Sequence, residues 1–137
     1  MSFFEKINKF NEMYKMPEVE PGDEYNRLGN FLLIAAEELL EGEEVLANIN
    51  NNNGVATMED KVAVADLLGD VIVYCASEAR RWNIDIEQVL NIIMESNFSK
   101  LGADGKPIYD ERGKLLKGPN FFKPEAKIEE LLNKSKG

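Results

Sequence analysis

The chain has no histidine and a single cysteine, Cys75, among its 137 residues. Without histidine it lacks the commonest general base, the imidazole ligands of zinc sites and the Glu-x-x-His pairs of di-iron bundles. A lone cysteine cannot close an intramolecular disulfide bond. Any metal ion bound by this chain is therefore expected to be held by oxygen atoms, which favours Mg²⁺, Mn²⁺ or Ca²⁺.

Positive charge is also scarce, because 16 lysines and arginines face 25 acidic residues and leave a formal net charge of −9. Proteins that bind a nucleic-acid backbone have a basic surplus that displaces counterions, so this balance argues against nucleic acid as a partner. The apolar runs are too short to span a bilayer, and the opening MSFFEKINKF lacks the features of a signal peptide. We therefore expect a cytoplasmic protein with no membrane partner.

Hydrophobic periodicity and capping signals predict five helices in one domain covering residues 1–137. The predicted helices cover residues 3–15, 25–47, 58–82, 86–97 and 125–132. Before the last helix, Asp-Gly, Arg-Gly and Gly-Pro pairs surround two short β-compatible runs and predict a small hairpin or structured loop. The segment NINNNNGVAT is expected to be a surface loop, and the NKSKG tail is expected to fray. The predicted fold class is all-α, a helical bundle with a small C-terminal hairpin.

The second predicted helix carries apolar residues around almost its whole circumference, which is typical of a central helix. The third contains the stretch VAVADLLGDVIVYCA, which has the composition of a buried helix, and we interpret Cys75 and Trp82 as core residues. Helices of this kind need more partner surface than a monomer of this size supplies. We therefore expect an obligate oligomer in which a four-helix-type core is shared between protomers.

Several carboxylates share the apolar faces of these two helices. At 100° per residue, Glu37, Glu41 and Glu44 fall within about 60° of one another, with Glu38 on their flank. Asp66 and Asp70 lie about 40° apart on the next helix. The two groups can meet if the helices pack antiparallel, as the short connection favours.

Each acidic group has more than one interpretation. The glutamates could simply form a solvated helix face, and each aspartate could pair with a distant lysine or arginine. Divalent cations are the better partners for the aspartates, because crowded like charges need positive charge among them to remain ionised.

The acidic pattern resembles the MazG-like all-α nucleoside triphosphate pyrophosphohydrolases, whose motif is EExxE followed by ExxD. Glu37-Glu38-x-x-Glu41 matches the first half, whereas the second half is Asp66-x-x-x-Asp70, with Leu67 at the family's acidic position. This D-x-x-x-D form is similar to that of phage-type members. The resemblance extends through KFNEMYKMP and IMESNFSKLGADGKPIYDERGKLLKGPNFF, and so covers most of the chain.

The resemblance implies Mg²⁺-dependent hydrolysis of a (deoxy)nucleoside triphosphate to the monophosphate and pyrophosphate, in a homodimer or homotetramer. The expected ligands of Mg²⁺, or of Mn²⁺ in its place, are Glu37, Glu38, Glu41, Asp66 and Asp70. Since no histidine is present, a carboxylate must accept the proton of the attacking water, and Glu38 is the candidate. The expected substrate-binding residues follow the fourth helix or lie in the hairpin: Asn97, Lys100, Lys106, Lys117 and Asn120.

Two alternatives stay open at this point. Phosphoribosyl-ATP is a rival substrate within the enzyme interpretation. A non-catalytic helical assembly module, whose acids bind a metal ion structurally, is the alternative from another class. Lys106 and Lys117 are about as easily explained by solubility as by phosphate binding.

Overall fold

In the computed structural model, which describes residues 1–135, helices dominate and one two-stranded antiparallel hairpin interrupts them. The elements are α1 (Phe3–Met13), α2 (Glu24–Asn51), α3 (Met58–Arg81), α4 (Ile86–Phe98), β1 (Ile108–Tyr109), β2 (Leu115–Leu116) and α5 (Glu125–Ser135). The chain divides into two compact units, one ending at Asn83 and the other beginning at Ile84. Within residues 1–135, no helix is both long and apolar enough to cross a membrane.

Side-chain caps fix the starts of three helices, as the sequence predicts. Ser2 and Thr57 each accept a hydrogen bond from the third backbone N–H of α1 and α3, and the acidic side chain at that position accepts one from the cap backbone. Asp85 accepts a hydrogen bond from the Gln88 backbone N–H at the start of α4. Each cap satisfies N–H groups that have no partner inside the helix, which explains the sharp helix starts.

The end of α2 differs from the prediction, because the helix runs through the first asparagines to Asn51 instead of stopping near residue 47. Ile49 continues the set of positions that face α3 and is half-buried, which compensates for the modest helix propensity of asparagine. The helix ends where Asn53 and Gly54 adopt positive φ values of 57° and 80°. The Gly54 N–H donates to the Ile49 carbonyl oxygen at 2.9 Å and closes the last turn.

Helices α2 and α3 form an antiparallel pair that positions the acidic residues. Arg27 near the start of α2 contacts Glu78 near the end of α3. At the middle of the pair, a Cβ on Gly42 would lie 2.9 Å from Leu67 Cδ2, so this position has no room for a larger side chain unless Leu67 moves. Gly42 therefore permits close approach of the two helices beside the carboxylates.

Helix α1 and the segment after it are attached to the last turns of α3. The Asn11 amide donates to the Ser77 carbonyl oxygen at 3.0 Å, and the Ser77 hydroxyl donates to Asn11 Oδ1 at 2.7 Å. Beyond the helix, the Val19 N–H donates to the Arg81 carbonyl oxygen at 2.7 Å, and Arg81 Nε donates to the Pro17 carbonyl oxygen at 3.1 Å. These bonds hold the proline-containing linker along α3.

The buried core within residues 1–135 is small, and four expectations of burial from the sequence are wrong. Its apolar members are Ile7, Ala76, Ala79 and Val89. Helix α2 has no buried residue, so it is not a central helix of the protomer. Cys75 is exposed and Trp82 only half-buried, and the stretch around Asp66 is largely exposed as well. Apolar composition marks surfaces that avoid water, but it does not say whether the same chain covers them.

The second unit contains α4, the hairpin and α5. Hairpin register pairs Ile108 with Leu116 and Tyr109 with Leu115, which confirms the predicted hairpin. The last helix extends to Ser135, three residues beyond the prediction, and the final two residues of the NKSKG tail lie outside the described residues.

Backbone and hydroxyl hydrogen bonds hold the base of the hairpin segment in this unit. The Gly118 N–H donates to the Lys100 carbonyl oxygen at 2.7 Å. The Ser96 hydroxyl donates to the Phe122 carbonyl oxygen, and the Phe122 N–H donates to the Ser99 hydroxyl. The segment between Lys100 and Phe122 is therefore fixed at both ends.

Candidate acidic site

An open cleft of about 170 Å³ lies between α2 and α3 in the first unit. Three of the predicted ligands, Glu38, Glu41 and Asp66, line it together with Gly42, Val45, Ala63 and Leu67. The apolar members come from the α2–α3 contact and hold the two backbones at a fixed spacing, while the carboxylates stand at its rim. Antiparallel packing thus brings Glu38 and Glu41 of α2 to the same cleft as Asp66 of α3.

Glu38 is the carboxylate most affected by its surroundings. Partial burial between the helices raises its pKa above the ordinary value, and the nearby charge of Glu41 raises it further. The Asp70 carboxyl lies within hydrogen-bonding reach and acts in the same direction, as does the charge of Asp66. Glu38 therefore lies where negative charge from both helices accumulates, and a proton or a cation there relieves repulsion.

The five predicted ligands do not all meet. Glu38 and Asp70 are half-buried and neighbouring, Glu41 and Asp66 are exposed at the cleft, and Glu37 is exposed and does not line it. As the side chains stand in residues 1–135, no three carboxylates are close enough together to hold one metal ion.

The angular positions nevertheless place the acids on one side of the α2–α3 pair. Along α2 the residues that contact α3 include Arg27, Gly42 and Val45, and Glu41 lies about 60° from this line. Glu37 and Glu44 lie further around α2 in the same direction as Glu41, and so further from α3. Because α3 runs antiparallel to α2, Asp66 and Asp70 lie on that same side of the helix pair. We call this side the acidic face; it consists of Glu37, Glu41, Glu44, Asp66 and Asp70.

The predicted substrate-binding residues all belong to the second unit. The hydrogen bond between Gly118 and Lys100 places Lys100 beside Lys117, whose Nζ lies 4.9 Å from the centre of the Phe121 ring. Lys100 is half-buried, and the other four are exposed: Asn97, Lys106, Lys117 and Asn120.

Sequence reasoning missed the buried polar group that connects α2 to α3. Glu78 Oε2 accepts hydrogen bonds from Arg27 Nε at 3.1 Å and from Trp82 Nε1 at 2.8 Å. The signal was present, because Glu78 falls on the α3 face that contacts α2, in line with Leu67. The pair fixes the sliding position of the helices and hence which carboxylates face each other.

Chemically, the arrangement offers oxygen ligands for hard cations and a carboxylate with increased affinity for a proton, next to an open cleft. Comparison with known proteins adds no family assignment: no protein-family model matches the chain, and no curated protein matches it.

Proposed function

We propose that this protein hydrolyses a (deoxy)nucleoside triphosphate to the monophosphate and pyrophosphate with the help of Mg²⁺. The observation that carries the proposal is the convergence of Glu38, Glu41 and Asp66 from two helices on one cleft, with Asp70 next to Glu38. The resemblance of the EExxE and D-x-x-x-D pattern to MazG-like enzymes supplies the reaction type.

The donor set fits a hard divalent cation. Its ligands would be carboxylate oxygens. Burial and then the neighbouring negative charges raise the pKa of Glu38, and two positive charges among the carboxylates would offset both effects. Small rotamer changes of exposed carboxylates cost little, so Glu41 and Asp66 can approach a cation beside Glu38 and Asp70. Glu37 completes the proposed ligands. Bound Mg²⁺, or Mn²⁺ in its place, supplies charge neutralisation of the phosphates and activation of water.

We assign the remaining roles in the reaction to side chains of this protein. Glu38 accepts the proton of the attacking water, for which a raised pKa suits a carboxylate. Lys100, Lys106 and Lys117 bind the phosphates of the substrate, and the amides of Asn97 and Asn120 contact its base or sugar. We also propose that the protein acts in the cytoplasm as a homodimer or homotetramer, without nucleic-acid or membrane partners.

A turnover assay tests the proposal. Protein and Mg²⁺ are incubated with a panel of nucleoside triphosphates, deoxynucleoside triphosphates and phosphoribosyl-ATP, and pyrophosphate is detected as phosphate after adding inorganic pyrophosphatase. Asp70→Asn is the inactive control, and Glu12→Gln, an exposed acid on α1, is the control for a charge change elsewhere.

We expect turnover of at least one triphosphate, retained in Glu12→Gln and lost in Asp70→Asn. Turnover confined to phosphoribosyl-ATP would replace the proposed substrate but keep the reaction type. Absence of turnover with the whole panel, or full activity of Asp70→Asn, would refute the proposal.

A further inference from the structure

A second cavity of the first unit, of about 250 Å³, opens between the linker after α1, the first turns of α2 and the end of α3. We call it the linker cavity. It shares no lining residue with the cleft of Glu38, which lies about 16 Å further along α2. The charged and amide side chains that the argument uses are Glu20, Asp23, Asn26, Arg27, Asn30 and Arg81.

Two arginines contribute unused hydrogen-bond donors to the linker cavity. Arg27 uses Nε to bind Glu78, and its side chain is only 15% exposed. Arg81 is half-buried and uses Nε to bind the Pro17 carbonyl oxygen. Within residues 1–135, the terminal nitrogens of both guanidinium groups donate to no protein atom, although no side-chain nitrogen sealed from solvent lacks a partner. These nitrogens are therefore open to a ligand in the cavity.

The charges around the two arginines favour an anion. Burial lowers the pKa of Arg81, the neighbouring charge of Arg27 lowers it further, and Glu78 acts in the other direction. Two guanidinium groups thus lie close together with one carboxylate between them, and their repulsion is only partly compensated. Within residues 1–135, no ion pair joins either arginine to Glu20 or Asp23, which are exposed at the rim.

We propose that the linker cavity binds the phosphate group of a small molecule between the terminal nitrogens of Arg27 and Arg81. A guanidinium group presents parallel N–H donors that match the oxygens of a phosphate. A phosphate also carries up to about two negative charges near pH 7, which suits two arginines better than a single carboxylate does.

The size and setting of the cavity agree with such a ligand. Its volume is below the usual range of about 300–1,000 Å³ for sites that enclose a whole drug-sized molecule, so it has room for a phosphate and a small part of what carries it. The net negative charge of the first unit opposes binding, but exposed charges further away than about 8 Å are largely screened at physiological ionic strength. The acidic face is further away than this, and only Glu20 and Asp23 act from the rim.

This inference does not rest on the proposed reaction, because the cavity contains none of the proposed metal ligands and binding is measured in EDTA. Calorimetry gives the affinity for inorganic phosphate and, separately, for a deoxynucleoside monophosphate. Trp82, the only tryptophan, reports where binding occurs. Its indole N–H donates to Glu78 Oε2, which also accepts from Arg27 Nε, so a ligand on Arg27 should change the fluorescence of Trp82.

Four variants locate the site. Arg81→Met removes one guanidinium group from the cavity, whereas the matched control Arg80→Met removes the same charge one residue earlier, from a side chain that does not line it. Lys117→Met tests the lysines that are proposed to hold the phosphates of the substrate. The double variant Glu20→Gln, Asp23→Asn removes the rim charges and leaves both arginines in place.

We expect wild type to bind inorganic phosphate with a Kd of about 1 mM or lower, and the fluorescence of Trp82 to change over the same concentrations. Arg81→Met should weaken binding by about tenfold or more, as loss of charge-assisted hydrogen bonds does. Arg80→Met and Lys117→Met should each change it by less than about threefold, and the rim variant should tighten it by about twofold or more.

The two probes distinguish the sources of the phosphate group. Tighter binding of the monophosphate supports a phosphate ester as the ligand, and equal binding supports free phosphate. If Arg81→Met does not fold, the affinity of the rim variant decides. The proposal is overturned if neither probe binds saturably up to about 10 mM, if folded Arg81→Met binds like wild type, or if Lys117→Met loses binding as Arg81→Met does.

Discussion

Glu38 combines two roles that act against each other, as a proposed cation ligand and as a carboxyl with increased affinity for protons. Both follow from its place between α2 and α3, beside Glu41 and Asp70. Protons and divalent cations should therefore compete for it, and acidification should weaken metal binding.

The pH dependence of stability tests the electrostatic part of this account. Because its pKa in the folded protein is raised above the ordinary 4.5, Glu38 binds a proton more tightly in the folded than in the unfolded chain. The resulting stabilisation is full below the unfolded pKa and is lost as pH rises through the folded pKa. The Glu38→Gln variant lacks this pH-dependent stabilisation. In EDTA, the melting temperature of wild type should therefore fall relative to that of Glu38→Gln as pH rises above 4.5, and parallel curves would contradict the raised pKa.

The Asp70→Asn substitution distinguishes two interpretations of Asp70, as a ligand of a metal ion or as a partner in a structural salt bridge. The substitution removes one of the charges that crowd Glu38, so the metal-free variant should be at least as stable as wild type. Millimolar Mg²⁺ should raise the melting temperature of wild type and raise that of the variant much less. Thermal melts of both proteins in EDTA and in Mg²⁺ measure this.

The salt-bridge interpretation expects the opposite sign. Removing one partner of a buried ion pair leaves the other charge uncompensated and costs about 3–5 kcal/mol. A destabilised Asp70→Asn protein that keeps its activity would therefore end the proposal of a metal site at this residue.

At the scale of elements, the contact between Arg27 and Glu78 sets the register of α2 against α3. Both side chains are largely buried, and Glu78 also accepts the hydrogen bond from Trp82. Arg27→Met should destabilise the protein by about 3 kcal/mol, because Glu78 is left buried without its cation. Arg80→Met is the control, since its pair with Glu18 is exposed and worth less than about 1 kcal/mol. Equal unfolding free energies of the two variants in urea would contradict this role for Arg27.

In the second unit, Gly118 is required by close contact with the backbone of Leu101. A Cβ at this position would overlap the Leu101 carbonyl group and break the bond between the Gly118 N–H and Lys100. Gly118→Ala should therefore lower amide-exchange protection in residues 99–122. Gly105→Ala is the control, because its Cβ would meet open space and only its positive φ of 76° is strained, which costs about 1–2 kcal/mol. If the two variants show the same protection, the close contact at Gly118 is not essential.

The elements that the sequence predicted best are those with local signals. Ser2, Thr57 and Asp85 act within three residues of their partners, so the helix starts could be read directly. The end of α2 depended on Ile49 facing another helix, which no local pattern contains. The prediction that Cys75 is a core residue was wrong for a related reason, because periodicity identifies an apolar face but not the surface that covers it.

Over the whole molecule, charge is divided unequally between the two units. Residues 1–83 contain 16 acidic and 7 basic residues and carry the entire net charge of −9, whereas residues 84–137 contain 9 of each. A triphosphate would therefore be repelled by the first unit unless cations lay between them.

The candidate site could be predicted from the sequence only in part. Helical spacing predicted a stripe of Glu37, Glu41 and Glu44, with Glu38 on its flank, that could meet Asp66 and Asp70 if the helices packed antiparallel. The structure brings Glu38, Glu41 and Asp66 to one cleft, with Asp70 next to Glu38. The position of Glu37 outside that cleft depends on which side of α2 contacts α3, and the hydrogen bond from Arg27 to Glu78 joins residues 51 positions apart in the sequence. Both depend on long-range contacts between α2 and α3, at Arg27 with Glu78 and at Gly42 with Leu67, which periodicity does not define.

The most direct test of the central claim is phosphorus NMR of the reaction of a deoxynucleoside triphosphate with the protein in Mg²⁺ and in EDTA. Hydrolysis as proposed should produce monophosphate and pyrophosphate resonances in equal amounts, in Mg²⁺ only, and not with Asp70→Asn. Formation of diphosphate and inorganic phosphate, or equal rates in Mg²⁺ and EDTA, would contradict the account.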